Sequence, residues 1–220
     1  MDGRQRRRLA EDALGDYANG ADAPIEATAV ALVRAESAQT VVLVEGTSDQ
    51  IALETLAKRQ GRDLDAERVA VVPIGGAQAA PRFLAQFGSG EADLSVRGLC
   101  DVAEERFFRR GIEAAGLGTP LDLEEMESLG FFVCVDDLEE ELIRAAGQDT
   151  IEPLLDSQGD LGSFRTLQKQ PAWRGEPFDA QLHRWLRAGA RRNLRYARLI
   201  VDAIDLDRVP RPLSSVLAAT

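Results

Sequence analysis

Four short apolar runs alternate with helical stretches between residues 39 and 147, and this alternation constrains the fold more than any other feature of the chain. The first run, QTVVLVEG, carries four consecutive apolar residues, Val41 to Val44, and ends at Gly46. An uninterrupted β-branched run of this length is the pattern of a strand covered on both faces, as in a parallel sheet. Ser48 and Asp49 are helix-start residues, Ile51, Leu53, Leu56 and Ala57 supply an apolar face, and Gly61 closes the helix. RVAVVPIGG (68–76), DLSVRGLCD (93–101) and GFFVCV (130–135) repeat the strand pattern, and each is followed by a helical stretch, at 77–88, 103–116 and 137–147. The pattern predicts an α/β fold: a mainly parallel, four-stranded, Rossmann-like sheet built from right-handed β-α-β units and flanked by helices. Residues 117–129 form the one longer connection.

The flanks read as helical. Residues 4–18 and 24–36 are expected helices, the second with Pro24 in its first turn. Beyond residue 148 the strand signal stops. Short helices are expected at 149–157 and 161–169, and a long one at 180–204 whose weak point is Gly189. Val209-Pro and Arg211-Pro preclude a continuous helix through the tail. The expected division is 1–37 (N-terminal helices), 38–147 (α/β domain) and 148–220 (C-terminal helical subdomain).

Composition narrows the setting. No apolar run approaches the ~18 residues needed to span a bilayer. The basic N-terminus lacks the apolar core of a secretory signal, so a cytoplasmic protein is expected. Cys100 and Cys134 each sit inside a strand-like segment and are expected as buried free thiols. One histidine and no CxxC pair argue against zinc.

Ligands of parallel sheets gather outside the carboxyl ends of the strands. There the chain places acids: Glu45 after strand one, Asp101 after strand three, and Asp136, Asp137 and Glu139 after strand four. Asp49 lies four residues beyond Glu45 and can turn back to the same side. Clustered carboxylates repel, and a hard cation relieves them; oxygen-only ligands favour Mg²⁺, Mn²⁺ or Ca²⁺. Taken singly, Asp49, Asp101 and Asp137 are each explained by helix capping. Glu45 is not, because it comes too early to cap the following helix.

VVLVEGTSDQIAL, with GLCD following some 56 residues after its Glu and DLEEEL later, resembles a TOPRIM domain, closest to the OLD-family nuclease branch. The shared features are VEG-x-[ST]-D, the Ile74-Gly75-Gly76 turn and D-L-E-x-E-L; they cover residues 38–147 well and the remainder loosely. The resemblance implies that Glu45 is a metal ligand or, through water, a general base, and that Asp49 and Asp101 are metal ligands, the three together forming the catalytic set. The family's second Asp falls on Ala103, so Glu104 or Glu105 would have to substitute, and Glu105 is the expected ligand. Glu139 matches a further family acid that either completes a second metal site or faces solvent. One or two Mg²⁺ ions (or Mn²⁺/Ca²⁺) are implied, and no nucleotide cofactor, since no G-x-x-x-x-G-K-[ST] motif occurs.

The net charge of -11 hides a basic segment: residues 164–198 hold eight Arg and one Lys against Glu176 and Asp179. Arg187, Arg191, Arg192 and Arg195, with Arg198, are expected either to contact DNA phosphates or to form a solvated or acid-paired helix face. The OLD branch uses a lysine in such a role; here the neighbourhood is arginine-only, which keeps charge but cannot donate a proton. The leading expectation is a metal-dependent nuclease, or related phosphoryl-transfer enzyme, acting on DNA. The alternatives are a non-catalytic TOPRIM protein that binds nucleic acid or a separate ATPase partner, and a small-molecule phosphohydrolase or nucleotidyltransferase. OLD nucleases usually carry an ATPase domain, so a separate ATPase is an expected partner, as is a second copy of the chain; a membrane is not.

Overall fold

The computed structural model describes residues 3–15, 17, 22–88 and 94–220. The four expected strands form: β1 (Thr40–Val44), β2 (Val69–Pro73), β3 (Ser95–Asp101) and β4 (Phe131–Cys134). They make one parallel sheet in the order β2-β1-β3-β4. Around it lie α1 (Gly3–Leu14), α2 (Ala23–Ala35), α3 (Thr47–Arg59), α4 (Ala80–Gly88), α5 (Glu105–Ala114) and α6 (Leu123–Ser128). They are followed by α7 (Leu138–Ala146), α8 (Gln148–Ser157), α9 (Leu161–Gln168), α10 (Phe178–Arg187), α11 (Ala190–Ala203) and α12 (Arg211–Ala218). Among the described residues, no helix is long and apolar enough to cross a membrane.

Alternation along each strand sends side chains to two cores. Val42, Val44, Val71, Leu99, Phe132 and Cys134 pack with α3 and with helices α7 to α12. Val41, Leu43, Val72, Val96, Cys100, Phe131 and Val133 pack with α2, α4, α5 and Met126 of α6. Cys100 and Cys134 are buried and free, as expected, and they point into opposite cores.

Helices α4 and α5 cross closely because Gly111 has no side chain. A Cβ there would lie 2.5 Å from Leu84 Cδ1 and 3.0 Å from Pro81 Cα. Gly111→Ala is therefore expected to lose about 1–2 kcal/mol despite the better helix propensity of alanine, read as a lowered midpoint in urea.

Three local readings differ from the sequence expectation. The connection 117–129 contains α6, started by Asp122, whose side chain accepts the Glu125 N–H at 2.9 Å. Its six residues and single buried apolar residue are too few to register as a period. The 180–204 helix is two helices, α10 and α11, with extended backbone at Gly189. The tail regains a helix, α12, because Pro212 falls in the first turn, where no amide donor is needed. Its last carbonyls are tied down by Arg62 Nη1 to Leu217 O (2.5 Å) and Arg97 Nε to Ala219 O (3.2 Å).

Strand order places the functional edge. From β1 the chain moves to β2 on one side and then returns past β1 to β3 on the other. The helices that follow, α3 and α5, lie on opposite faces of the sheet. The crevice between the carboxyl ends of β1 and β3 is thus a topological switch point, where ligands of open parallel sheets bind.

Candidate metal centre

Glu45 stands at that crevice. Its backbone carbonyl accepts the Gly76 N–H at 2.9 Å, a contact made by a turn in which Gly75 and Gly76 both have positive φ, 76° and 110°. Its Oε1 accepts the Asp101 N–H of β3 at 2.8 Å. The Glu45 carboxyl also faces that of Glu104. Burial, together with this contact and the Asp101 charge, pushes Glu45 up to about 9, although the Asp101 amide favours its ionised form.

Asp49, the third residue of α3, accepts the Gly46 N–H at 2.8 Å. Burial, then the charges of Glu139, Asp101 and Asp137, raise its carboxyl well above the usual range against the pull of that amide. Asp101 ends β3. Burial, then Asp137 and Glu139, push it up to about 7, eased by the Leu138 N–H. What acts most strongly on these three carboxyls is burial, other acids and single backbone amides.

Helix phase separates Glu104 from Glu105. Glu104 precedes the first residue of α5 and faces Glu45, whereas Glu105 sits in the first turn and pairs with Arg109 one turn on. The structure therefore brings Glu104, not Glu105, to the crevice. Ala103, at the position of the family's second Asp, is exposed.

The end of β4 contributes a second group. Asp137 caps α7, accepting the Glu140 N–H at 2.8 Å. Burial raises its carboxyl, but His183, the Glu140 amide and Arg187 (3.7 Å) together outweigh this and hold it below the usual range. Glu139 accepts from Asn193 Nδ2 at 2.7 Å. Asp137, Glu139 and His183 offer ligand atoms that all lie within 4.8 Å of one another. His183 and Asn193 come from α10 and α11, and the sequence singled out neither, because no local spacing links them to Glu139. Asp136 pairs with Arg144, and Glu141 is buried with its Oε1 on the Val135 N–H at 2.6 Å.

The arginine face does not form as a continuous stripe. Arg195 is buried and paired with Asp160. Arg192 donates to Trp185 O and lies over the Trp185 ring, 3.9 Å from its centroid. Arg198 is 3.6 Å from Asp202 and donates to Ala13 O. Arg187 and Arg191 are exposed, on different helices. Regular 3–4 spacing makes one face only within one helix, and the break at Gly189 divides it. Arg195 leaves the surface because this side of α11 meets Asp160 ahead of α9, and Arg192, half-buried, turns onto Trp185 of α10.

The donor set fits a hard divalent cation: it is predominantly carboxylate, and at the β1/β3 crevice those carboxylates favour protons in its absence. Residues 38–101 match the family model described as Overcoming lysogenization defect protein-like, TOPRIM domain. The chain is similar in fold to the C-terminal region of the Xanthomonas campestris pv. campestris OLD protein, at 21% identity and TM-score 0.62 over 82% of this chain and 93% of that one. A second crystal of that region gives 22% identity and TM-score 0.63, over 84% and 93%. The C-terminal region of the Burkholderia pseudomallei OLD protein gives 19% and 0.59, over 83% and 96%. No curated protein sequence matches the chain.

Proposed function

Starting from an OLD-like TOPRIM signature over residues 38–101, we propose that this protein is a divalent-metal-dependent phosphoryl-transfer enzyme that cleaves DNA. The observation that carries the reading is the convergence of Glu45, Asp49, Asp101 and Glu104 at the β1/β3 crevice, with two of them pushed up to about 9 and about 7. Packing does not call for such a group, and a cation satisfies it.

Glu45, Asp101 and Glu104 would hold one ion, and Asp137 and Glu139 a second, with Asp49 acting on both groups. An ion bound there supplies Lewis acidity, lowering the pKa of a bound water and offsetting charge on a phosphodiester. The chain's own work is positioning. The Asp101 amide fixes the orientation of the Glu45 carboxyl, and the Gly75-Gly76 turn fixes its backbone. Arg187, exposed at the rim, supplies a cation that a phosphate would meet on approach.

The test is incubation of the protein with supercoiled plasmid and Mg²⁺ or Mn²⁺, beside Glu45→Ala. Metal-dependent nicking is expected, slowed about a hundredfold or more in the variant. Ala103 favours a second reading, a TOPRIM protein that binds without cutting. Calorimetric metal binding with no nicking in either metal would replace the first reading by the second.

A further inference from the structure

We infer that the outer surface of α4 and α5 is the track on which the DNA backbone lies, with Arg82, Arg106 and Arg110 contacting its phosphates. This rests on the reading of DNA as the substrate. It places the contact on a surface that the arginine-rich segment 164–198 does not supply.

Three observations carry it. The first is position. α5 starts directly after Glu104, so Arg106, its second residue, stands beside the β1/β3 crevice. Arg110 follows one turn on, about 6 Å of helix rise further along. α4 runs on from the Gly75-Gly76 turn that holds the Glu45 backbone, and it crosses α5 where Pro81 meets Gly111. Arg82 and Arg110 are the chain neighbours of those two residues, and both are exposed, as is Arg106.

The second is charge without a structural partner. Among the described residues none of these three arginines is ion-paired, whereas Arg109 of the same helix pairs with Glu105 and donates to the Pro120 carbonyl. Glu113, also exposed on α5, pairs with neither Arg106 nor Arg110. Residues 77–88 hold Arg82 and no acid, in a chain whose net charge is -11. Like charges one turn apart weaken a helix, so helix formation does not call for Arg106 and Arg110 together.

The third is presentation. The Arg82 guanidinium lies over the Phe83 ring, 5.0 Å from its centroid, and that of Arg106 over Phe107, at 4.9 Å. An aromatic face steadies a guanidinium without neutralising it, which leaves its N–H groups for phosphate oxygens. α5 and α10 pack on opposite faces of the sheet. A backbone laid across the strand ends therefore meets Arg106 on one side of the carboxylate edge and Arg187 of α10 on the other.

Fluorescence anisotropy of a short labelled duplex, titrated with the full chain in Ca²⁺ at several salt concentrations, tests this. Arg106→Gln combined with Arg110→Gln is expected to weaken binding about tenfold or more at about 0.1 M salt. It should also lower the slope of log affinity against log salt by about 2, and Arg82→Gln should lower it by about 1. The loss should be the same for unrelated sequences, because phosphate contacts carry no sequence information. Lys169→Gln combined with Arg174→Gln removes two exposed charges beside the opposite core and should change affinity less than about threefold. Circular dichroism confirms that each variant is folded. An unchanged slope in the Arg106 and Arg110 double variant, with wild type binding and nicking DNA, overturns this inference and leaves the proposed function standing. An equal loss in the Lys169 and Arg174 double variant also overturns it, since bulk charge would then suffice. Absence of both DNA binding and nicking in the wild-type protein overturns this inference and the proposed function together.

Discussion

Glu45→Gln is expected to raise the stability of the metal-free protein at pH 8 while weakening its response to divalent ions. The sign follows from the site. Glu45 is held by burial and Glu104 at about 9, and Asp101 by burial and the acids of β4 at about 7, against ordinary values of 4.5 and 3.8. The folded state therefore binds protons that the unfolded chain has released. Their stabilising effect is complete below about pH 4, falls as pH rises through the window up to about 7 for Asp101 and about 9 for Glu45, and is gone above it. Glutamine reproduces the protonated form at every pH: its oxygen can still accept the Asp101 amide, and its NH₂ can donate to Glu104. Both groups are partly solvated, so the expected gain at pH 8 is about 1–3 kcal/mol, some 2–4 °C in Tm per kcal/mol for a chain of this size. The measurement is Tm for both proteins between pH 5 and 9, with and without Mn²⁺. Wild type should descend with pH up to about 9 and be restored by metal; the variant should keep only the descent below about pH 7 that belongs to Asp101, level off above it, and respond less to metal. A variant that melts below wild type at pH 8 would show that Glu45 is held by favourable contacts rather than by constraint. Stability given up to keep acids together is the usual signature of a functional site.

How far the site could be read in advance depends on where each residue lies in the chain. The β-branched runs revealed the strands because burial on both faces leaves them no polar alternation. Glu45 and Asp101 followed, since a strand end fixes where its next side chain stands. Glu104 and Glu105 could not be separated, because one residue of helix phase decides which meets Glu45 and which meets Arg109, and helix starts are uncertain by that much. His183 and Asn193 left no signal: they reach the β4 end from helices packed there by tertiary contacts. The arginines misled for a related reason. Spacing describes a face of an unbroken helix, and it does not say whether that face meets water or a neighbouring helix.

Arg195 makes this concrete, and its replacement has the largest expected effect on folding. The guanidinium is buried, paired with Asp160 at the start of α9, and lies over the Tyr196 ring, 4.9 Å from its centroid. Tyr196, fully buried, donates its hydroxyl to the same Asp160 oxygen at 3.0 Å. Tyr196 meets Trp185 edge-on at 5.5 Å, Trp185 meets Phe164 at 5.9 Å and Phe164 meets Phe178 at 5.5 Å, so one cluster ties α9, α10 and α11. Arg195→Met keeps most of the volume but strands the Asp160 carboxylate in this apolar setting. Removing one partner of a buried ion pair costs about 3–5 kcal/mol, because the remaining charge is left uncompensated. Asp160→Asn in the same chain removes that charge, so the double variant should recover at least half of the loss, a coupling of about 1.5 kcal/mol or more. Urea denaturation of the four proteins measures the cycle. A surface phosphate contact predicts the reverse: stability unchanged within about 0.5 kcal/mol and DNA binding weakened. The same cluster positions α10 and α11, which carry His183 and Asn193, so Arg195→Met should also weaken Mn²⁺ binding although no atom of Arg195 is a candidate ligand. Restoration of both stability and Mn²⁺ affinity in the double variant would show that the arginine acts on the metal centre through packing alone.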